Sequence, residues 1–154
     1  MGKGQIFLHD IRKQILLEAK KRLRRAGVQN YQLVQSKDEL FSNLKGKFDW
    51  ILLDVPCSGS GTIRRNPDLK LKFSLEKLEE YINIQEKIFE ETLDLLKPNG
   101  KIVYVTCSLF QEENMNQIMK FQKKFSVKIE NNSIFQTVPT FRKMDGFFSV
   151  TLHL

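Results

Sequence analysis

The chain has 154 residues, 41% of them hydrophobic, and no long polar tract, which is the composition of one folded domain spanning residues 1–154. Its apolar runs, such as Trp50 to Val55 and Ile102 to Thr106, fall far short of the ~20 residues a membrane span needs. No signal-peptide core follows Met1 to Gln5, so a cytoplasmic location is expected. The 25 Lys and Arg against 18 Asp and Glu give a formal net charge of +7, which favours polyanionic partners through phosphate contacts.

In chain order, short apolar runs alternate with longer helical patterns, the signature of an α/β fold with a parallel sheet and crossover helices. Gln5 to His9 reads as a strand. Asp10 follows it and can cap a helix from Ile11 to Ala26, with Ile15, Leu16, Ala19 and Leu23 as its apolar stripe and Gly27 as its end. Lys20, Lys21, Arg22, Arg24 and Arg25 lie in that helix and read as a solvated face. Tyr31 to Val34 is a second strand, and Phe48 to Asp54 a third, nearly all apolar as a strand buried on both faces should be.

After Asp54 the pattern breaks into a long loop containing Pro56, Ser58, Gly59, Ser60, Gly61 and Pro67. Loops of that length are often functional. Ser74 opens a helix whose periodic positions include Leu78, Ile82, Gln85, Ile88, Phe89 and Leu93, and which should stop near Lys97 to Gly100. Lys101 to Thr106 reads as a fourth buried strand, Glu112 to Phe125 as a helix, Val127 to Ile129 as a short strand and Phe147 to Leu152 as a terminal strand.

In open α/β sheets ligands gather beyond the carboxyl ends of the strands. Here those ends are Asp10, Asp54 to Cys57 and Thr106 to Ser108. Asp10 is placed either to accept hydrogen bonds from a ribose hydroxyl pair or to cap the helix behind it. The segment Asp54-Val55-Pro56-Cys57-Ser58-Gly59 sends a carboxylate, a stiff proline and a thiol out of one buried strand. Cys107 ends the neighbouring strand, so adjacent parallel strands could bring the chain's two cysteines into one cleft, an arrangement that suggests covalent catalysis. A disulfide is not expected in a cytoplasmic protein, and His9 and His153 show no metal-ligand spacing with either cysteine.

Asp54 to Gly59, then Arg64-Arg65-Asn66-Pro67-Asp68, Thr106-Cys107-Ser108 with Glu112, Glu113 and Asn114 behind it, and Asp145-Gly146-Phe147-Phe148 resemble the successive motifs of the NOL1/NOP2/Sun RNA methyltransferases, most closely the bacterial Sun/Fmu/RsmB type. The resemblance covers nearly the whole chain. It implies a Rossmann-like, S-adenosylmethionine-dependent fold and formation of 5-methylcytosine in RNA, of the small ribosomal subunit given the Sun-type match. Because cytosine carbon 5 is a poor nucleophile, a thiolate must first add to carbon 6. The resemblance implies that this nucleophile is Cys107, that Asp54 bonds the base at nitrogen 3, that Cys57 helps release the product, and that Pro56 fixes their loop. Asp10, Asp38, Asp54 and Pro56 are then the cofactor-binding candidates. Arg64 and Arg65 either lower the thiol pKa, bind RNA phosphates or line a plain solvated loop. The target base must leave its stack to reach Cys107.

The chain also departs from the family. The glycine-rich cofactor loop and the strand leading into it have no counterpart, so the expected fold is a partial catalytic domain truncated at the N-terminus. In the family that strand lies between those of Ile6 to His9 and Trp50 to Leu53, and its loss should leave a gap. At the adenine-contacting position the chain reads Gln35-Ser36-Lys37-Asp38, where Asp38 serves with a one-residue shift or Lys37 takes its place. Weak binding of S-adenosylmethionine is therefore expected of this chain alone. The alternative to an enzyme is a non-catalytic remnant or RNA-binding fragment that needs a separately encoded N-terminal piece. A thiol oxidoreductase would instead expect a Cys-x-x-Cys pair.

Overall fold

The computed structural model describes residues 4–140 and 144–154, and the chain divides into two compact units, Met1–Lys45 and Gly46–Leu154. The first unit runs β1 (Ile6–His9), α1 (Lys13–Arg25), β2 (Tyr31–Val34) and α2 (Lys37–Asn43). The strands pair in parallel, with His9 opposite Val34. Of the predicted stripe on α1 only Leu16 is fully buried, since a two-stranded sheet offers little surface to cover it. The basic residues of α1 from Lys20 to Arg25 are exposed, as a solvated face should be.

Helix α1 starts two residues later than the sequence suggests. Asp10 does not cap it: its carboxylate accepts the Arg12 backbone N–H at 2.8 Å and two guanidinium bonds at 3.0 and 2.9 Å. The cap position falls to Arg12, which makes no side-chain cap bond. Gly27, with φ 72°, ends the helix as expected. Helix α2 was not anticipated. Its seven residues are too few to show an apolar stripe, and what starts it is Ser36, whose hydroxyl accepts the Glu39 N–H at 3.0 Å.

The second unit contains β3 (Phe48–Asp54), a turn of 3-10 helix (Ser60–Thr62), α3 (Leu69–Lys72), α4 (Leu75–Leu93), β4 (Leu96–Thr106), α5 (Met115–Phe125), β5 (Lys128–Ile129), β6 (Phe135–Thr137) and β7 (Phe147–His153). Its strand order is β3-β4-β7-β5, with β6 also on β7. β3 and β4 are parallel, but β7 runs antiparallel to β4, β5 and β6, so the sheet is mixed rather than wholly parallel. The link from β6 to β7 is too short for a crossover, which dictates antiparallel pairing there.

Ser74 caps α4 by accepting the Lys77 N–H at 3.3 Å. That helix ends at Leu93, earlier than predicted, because β4 already begins at Leu96. Pairing passes from Phe48 with Leu96 to Trp50 with Lys101, and the intervening Pro98, Asn99 (φ 66°) and Gly100 form an irregularity in the strand. Such a bulge is where a strand tolerates proline. The core joins Phe89 of α4 and Ile118 and Phe121 of α5 to Ile102, Tyr104, Phe148, Val150 and Leu152 of the sheet. Phe89 and Phe121 stack at 4.0 Å, and each such buried side chain contributes roughly 1.5–3 kcal/mol. Among the described residues β3 pairs only with β4, and Trp50 and Leu52 on it are 59% and 68% exposed. No helix among the described residues is long and apolar enough to cross a membrane.

Candidate active site

Parallel pairing places Asp54, the last residue of β3, opposite Val105 near the end of β4. The segments that leave the two strands therefore run side by side, and Cys57 and Cys107 meet with their sulfurs 3.3 Å apart. Both thiols are free and partly accessible. The convergence expected from the sequence is thus present.

The pair is electrostatically unequal. The hydrogen bond from Cys57 pulls the Cys107 pKa down, against burial and the nearby charges of Asp54 and Glu113. Cys57 is pushed far up, first by that same bond and then by burial. Cys107 is therefore the more acidic thiol of the pair, with Cys57 as the hydrogen-bond donor once Cys107 ionises. Arg64 and Arg65 instead both sit on Asp145, Arg64 at 3.2 Å. Their side chains remain 51% and 66% exposed.

A buried polar cluster ties the two cysteine segments together. The Glu113 carboxyl group, fully enclosed, accepts the Ser58 N–H at 2.9 Å, the Ser58 and Ser108 hydroxyls at 2.5 Å each, and Gln85 Nε2 at 2.9 Å. Gln85 Nε2 also donates to the Pro56 carbonyl at 2.9 Å, while its oxygen accepts from the Tyr104 hydroxyl at 3.1 Å. Asn114 accepts from Thr106 Oγ1 at 2.6 Å and donates to the Ser108 carbonyl at 3.0 Å. These bonds explain why α5 begins at Met115: Glu113 and Asn114 turn inward to the strand ends instead of starting the helix. Among the described residues no buried side-chain nitrogen or oxygen lacks a partner.

The Asp145-Gly146 segment closes the same loop from the other side. Gly61 N–H donates to the Cys107 carbonyl at 2.9 Å, and Gly146 N–H donates to the Gly61 carbonyl at 2.8 Å. A Cβ on Gly146 would stand 2.7 Å from the Gly61 Cα, so only two glycines allow this approach. Asp10 and Asp38 belong to the first unit. The Arg12 side chain holds the Asp10 carboxyl below its ordinary pKa, and Asp38 is exposed in the first turn of α2. Sequence reasoning missed Glu113 as a site residue. Gln85 offered a signal, a polar side chain on the apolar stripe of α4; Glu113 stood in the motif behind Cys107, but its inward role depends on contacts with Ser58 and Gln85, which are distant in the chain.

A match to the 16S rRNA methyltransferase RsmB/F family runs over residues 1–153. The chain belongs to that family. It is 35% identical over 118 residues to ribosomal RNA small subunit methyltransferase F of Aeromonas salmonicida, covering 76% of this chain and 25% of that protein. It is 38% identical over 112 residues to ribosomal RNA small subunit methyltransferase B of Photorhabdus laumondii, covering 69% of this chain and 26% of that protein. Among solved structures, NSun6 from Pyrococcus horikoshii, determined with the S-adenosylmethionine analogue SFG, superposes with a TM-score of 0.79 at 31% identity over 98% of this chain and 41% of its own. The chain thus spans about a quarter of the length of its RsmB/F relatives. The Rossmann-like methyltransferase fold inferred from the motifs is the fold observed.

Proposed function

We propose that this chain carries the cytosine-modifying centre of an S-adenosylmethionine-dependent rRNA methyltransferase, with Cys107 as the nucleophile. The supporting observation is the unequal sulfur pair at the ends of adjacent parallel strands, one thiol kept protonated and the other eased toward thiolate. The Cys107 sulfur adds to carbon 6 of a cytosine, opening the ring double bond and leaving carbon 5 rich in electrons. Asp54, exposed at the strand end, delivers a proton to nitrogen 3 and so neutralises the negative charge that the addition develops there. S-adenosylmethionine supplies the electrophilic methyl group for carbon 5.

Release uses the second thiol. Once Cys107 is bonded to carbon, Cys57 no longer faces an anionic sulfur and can give up its proton to solvent. As a thiolate it takes the proton from carbon 5, the ring double bond re-forms, the carbon–sulfur bond breaks, and the electron pair returns to Cys107. The resting pair is thereby restored. Within the first unit, Asp10 just past β1 and Asp38 in the first turn of α2 have the acceptor chemistry that the hydroxyls and amino group of S-adenosylmethionine require. Arg64 and Arg65, exposed and paired with Asp145, are assigned to RNA phosphates, a role supported by their exposure and charge.

A second reading is favoured by β3, which among the described residues pairs only with β4 and carries the exposed Trp50 and Leu52 on one face. In it, the chain binds RNA but performs chemistry only when another strand pairs along the opposite edge of β3. Incubation with RNA containing 5-fluorocytosine and S-adenosylmethionine separates the readings. A covalent adduct lost in Cys107→Ala supports the enzyme; RNA binding without an adduct supports the second reading.

A further inference from the structure

Glu113 touches neither sulfur, yet it grips the residue that follows each cysteine. Ser58 succeeds Cys57, Ser108 succeeds Cys107, and a single carboxyl group accepts from both. A thiol is a weak hydrogen-bond donor and cannot by itself hold two chain segments in register. We propose that Glu113 is the positioning residue that keeps the Cys57 and Cys107 sulfurs in contact, by anchoring Ser58 and Ser108 on one buried carboxyl group. Gln85 completes the frame, bonding Glu113 and the Pro56 carbonyl through one amide nitrogen.

Positioning and charge act in opposite directions here, which makes the role measurable. The groups facing Cys107 are Cys57 and Asp54 from the β3 side and Glu113 from the turn before α5. The charge of Glu113 raises the Cys107 pKa, whereas the Cys57 contact that Glu113 maintains lowers it more strongly. If Glu113 acted by charge alone, its removal would make Cys107 more acidic. If it acts by position, removal releases the contact and Cys107 becomes less acidic.

The inference deepens the reading of Cys107 as nucleophile, and its test uses neither RNA nor cofactor, so either can fail alone. The rate of Cys107 alkylation by iodoacetamide is followed against pH, with peptide mass spectrometry separating it from Cys57. In Glu113→Ala, shown to be folded by near-ultraviolet circular dichroism, the midpoint should rise by about half a pH unit or more. In Glu113→Gln the amide oxygen can still accept from Ser58 N–H and Gln85 while its NH2 donates to the two hydroxyls, so the midpoint should stay at or below that of the parent. An unmoved or lowered midpoint in Glu113→Ala would overturn the proposal. Should that variant not fold, Ser58→Ala combined with Ser108→Ala removes both hydroxyl links; the same rise is expected, and an unchanged midpoint overturns the proposal equally.

Discussion

Cys107 depends on a thiol rather than on a cation for its acidity. An ordinary cysteine, with a pKa of ~8.5, is only a few per cent ionised at neutral pH. The bond from Cys57 lowers the Cys107 value, so the thiolate fraction at neutral pH is larger, and it falls again as pH drops through that lowered value. Removing the donor reverses this. In Cys57→Ala the alkylation midpoint of Cys107 should move up toward ~8.5 and the rate at neutral pH should fall several-fold. With RNA and cofactor present, the proposed release step predicts that the same variant accumulates the covalent adduct, since it lacks the thiol assigned to take the carbon 5 proton; denaturing electrophoresis of the labelled RNA reads this directly. Turnover equal to that of the parent would remove Cys57 from the release step.

At the scale of elements, the site is two strand ends laced by three segments: the loop after β3, the turn before α5 and the approach to β7. The Gly61 and Gly146 backbones are at the tightest point of that lacing. A methyl group on Gly61 has nowhere to go except into the Gly146 main chain, so the two segments must separate. Gly61→Ala is expected to destabilise the fold by about 1–3 kcal/mol, an overpacking cost, seen as a lower urea midpoint with little change in slope. An unchanged midpoint would show that the segments part easily. The same lacing explains the early end of α4, since the chain must leave the helix in time for β4 to run alongside β3 and deliver Cys107 next to Cys57.

For the molecule as a whole, stability of the second unit rests on the aromatic layer where α4 and α5 cover the sheet. Phe89 is fully enclosed and stacks on Phe121, with Phe125 beside it. Phe89→Ala should cost about 3–5 kcal/mol, read from chemical denaturation of the intact chain. The net charge of +7 suits an RNA partner, although the exposed cations of α1 would serve equally as a solvated face.

Local patterning was enough to read most of the strands and the convergence of Cys57 with Cys107, while β6 and the start of β4 at Leu96 escaped it. Tyr31–Val34 and Phe48–Asp54 are observed with the bounds read from their apolar runs, although Phe48–Asp54 is not buried on both faces as expected: none of its residues is fully enclosed, since among the described residues it pairs only with β4. Residues just past such strands must emerge at one edge, so the meeting of Cys57 and Cys107 could be reasoned before any coordinates. Long-range contacts set which thiol is the more acidic, the pairing of Arg64 and Arg65 with Asp145, the antiparallel run of β7 and the inward turn of Glu113. Each of these depends on partners distant in the chain, and periodicity, capping and composition register only what neighbours along the chain do to one another.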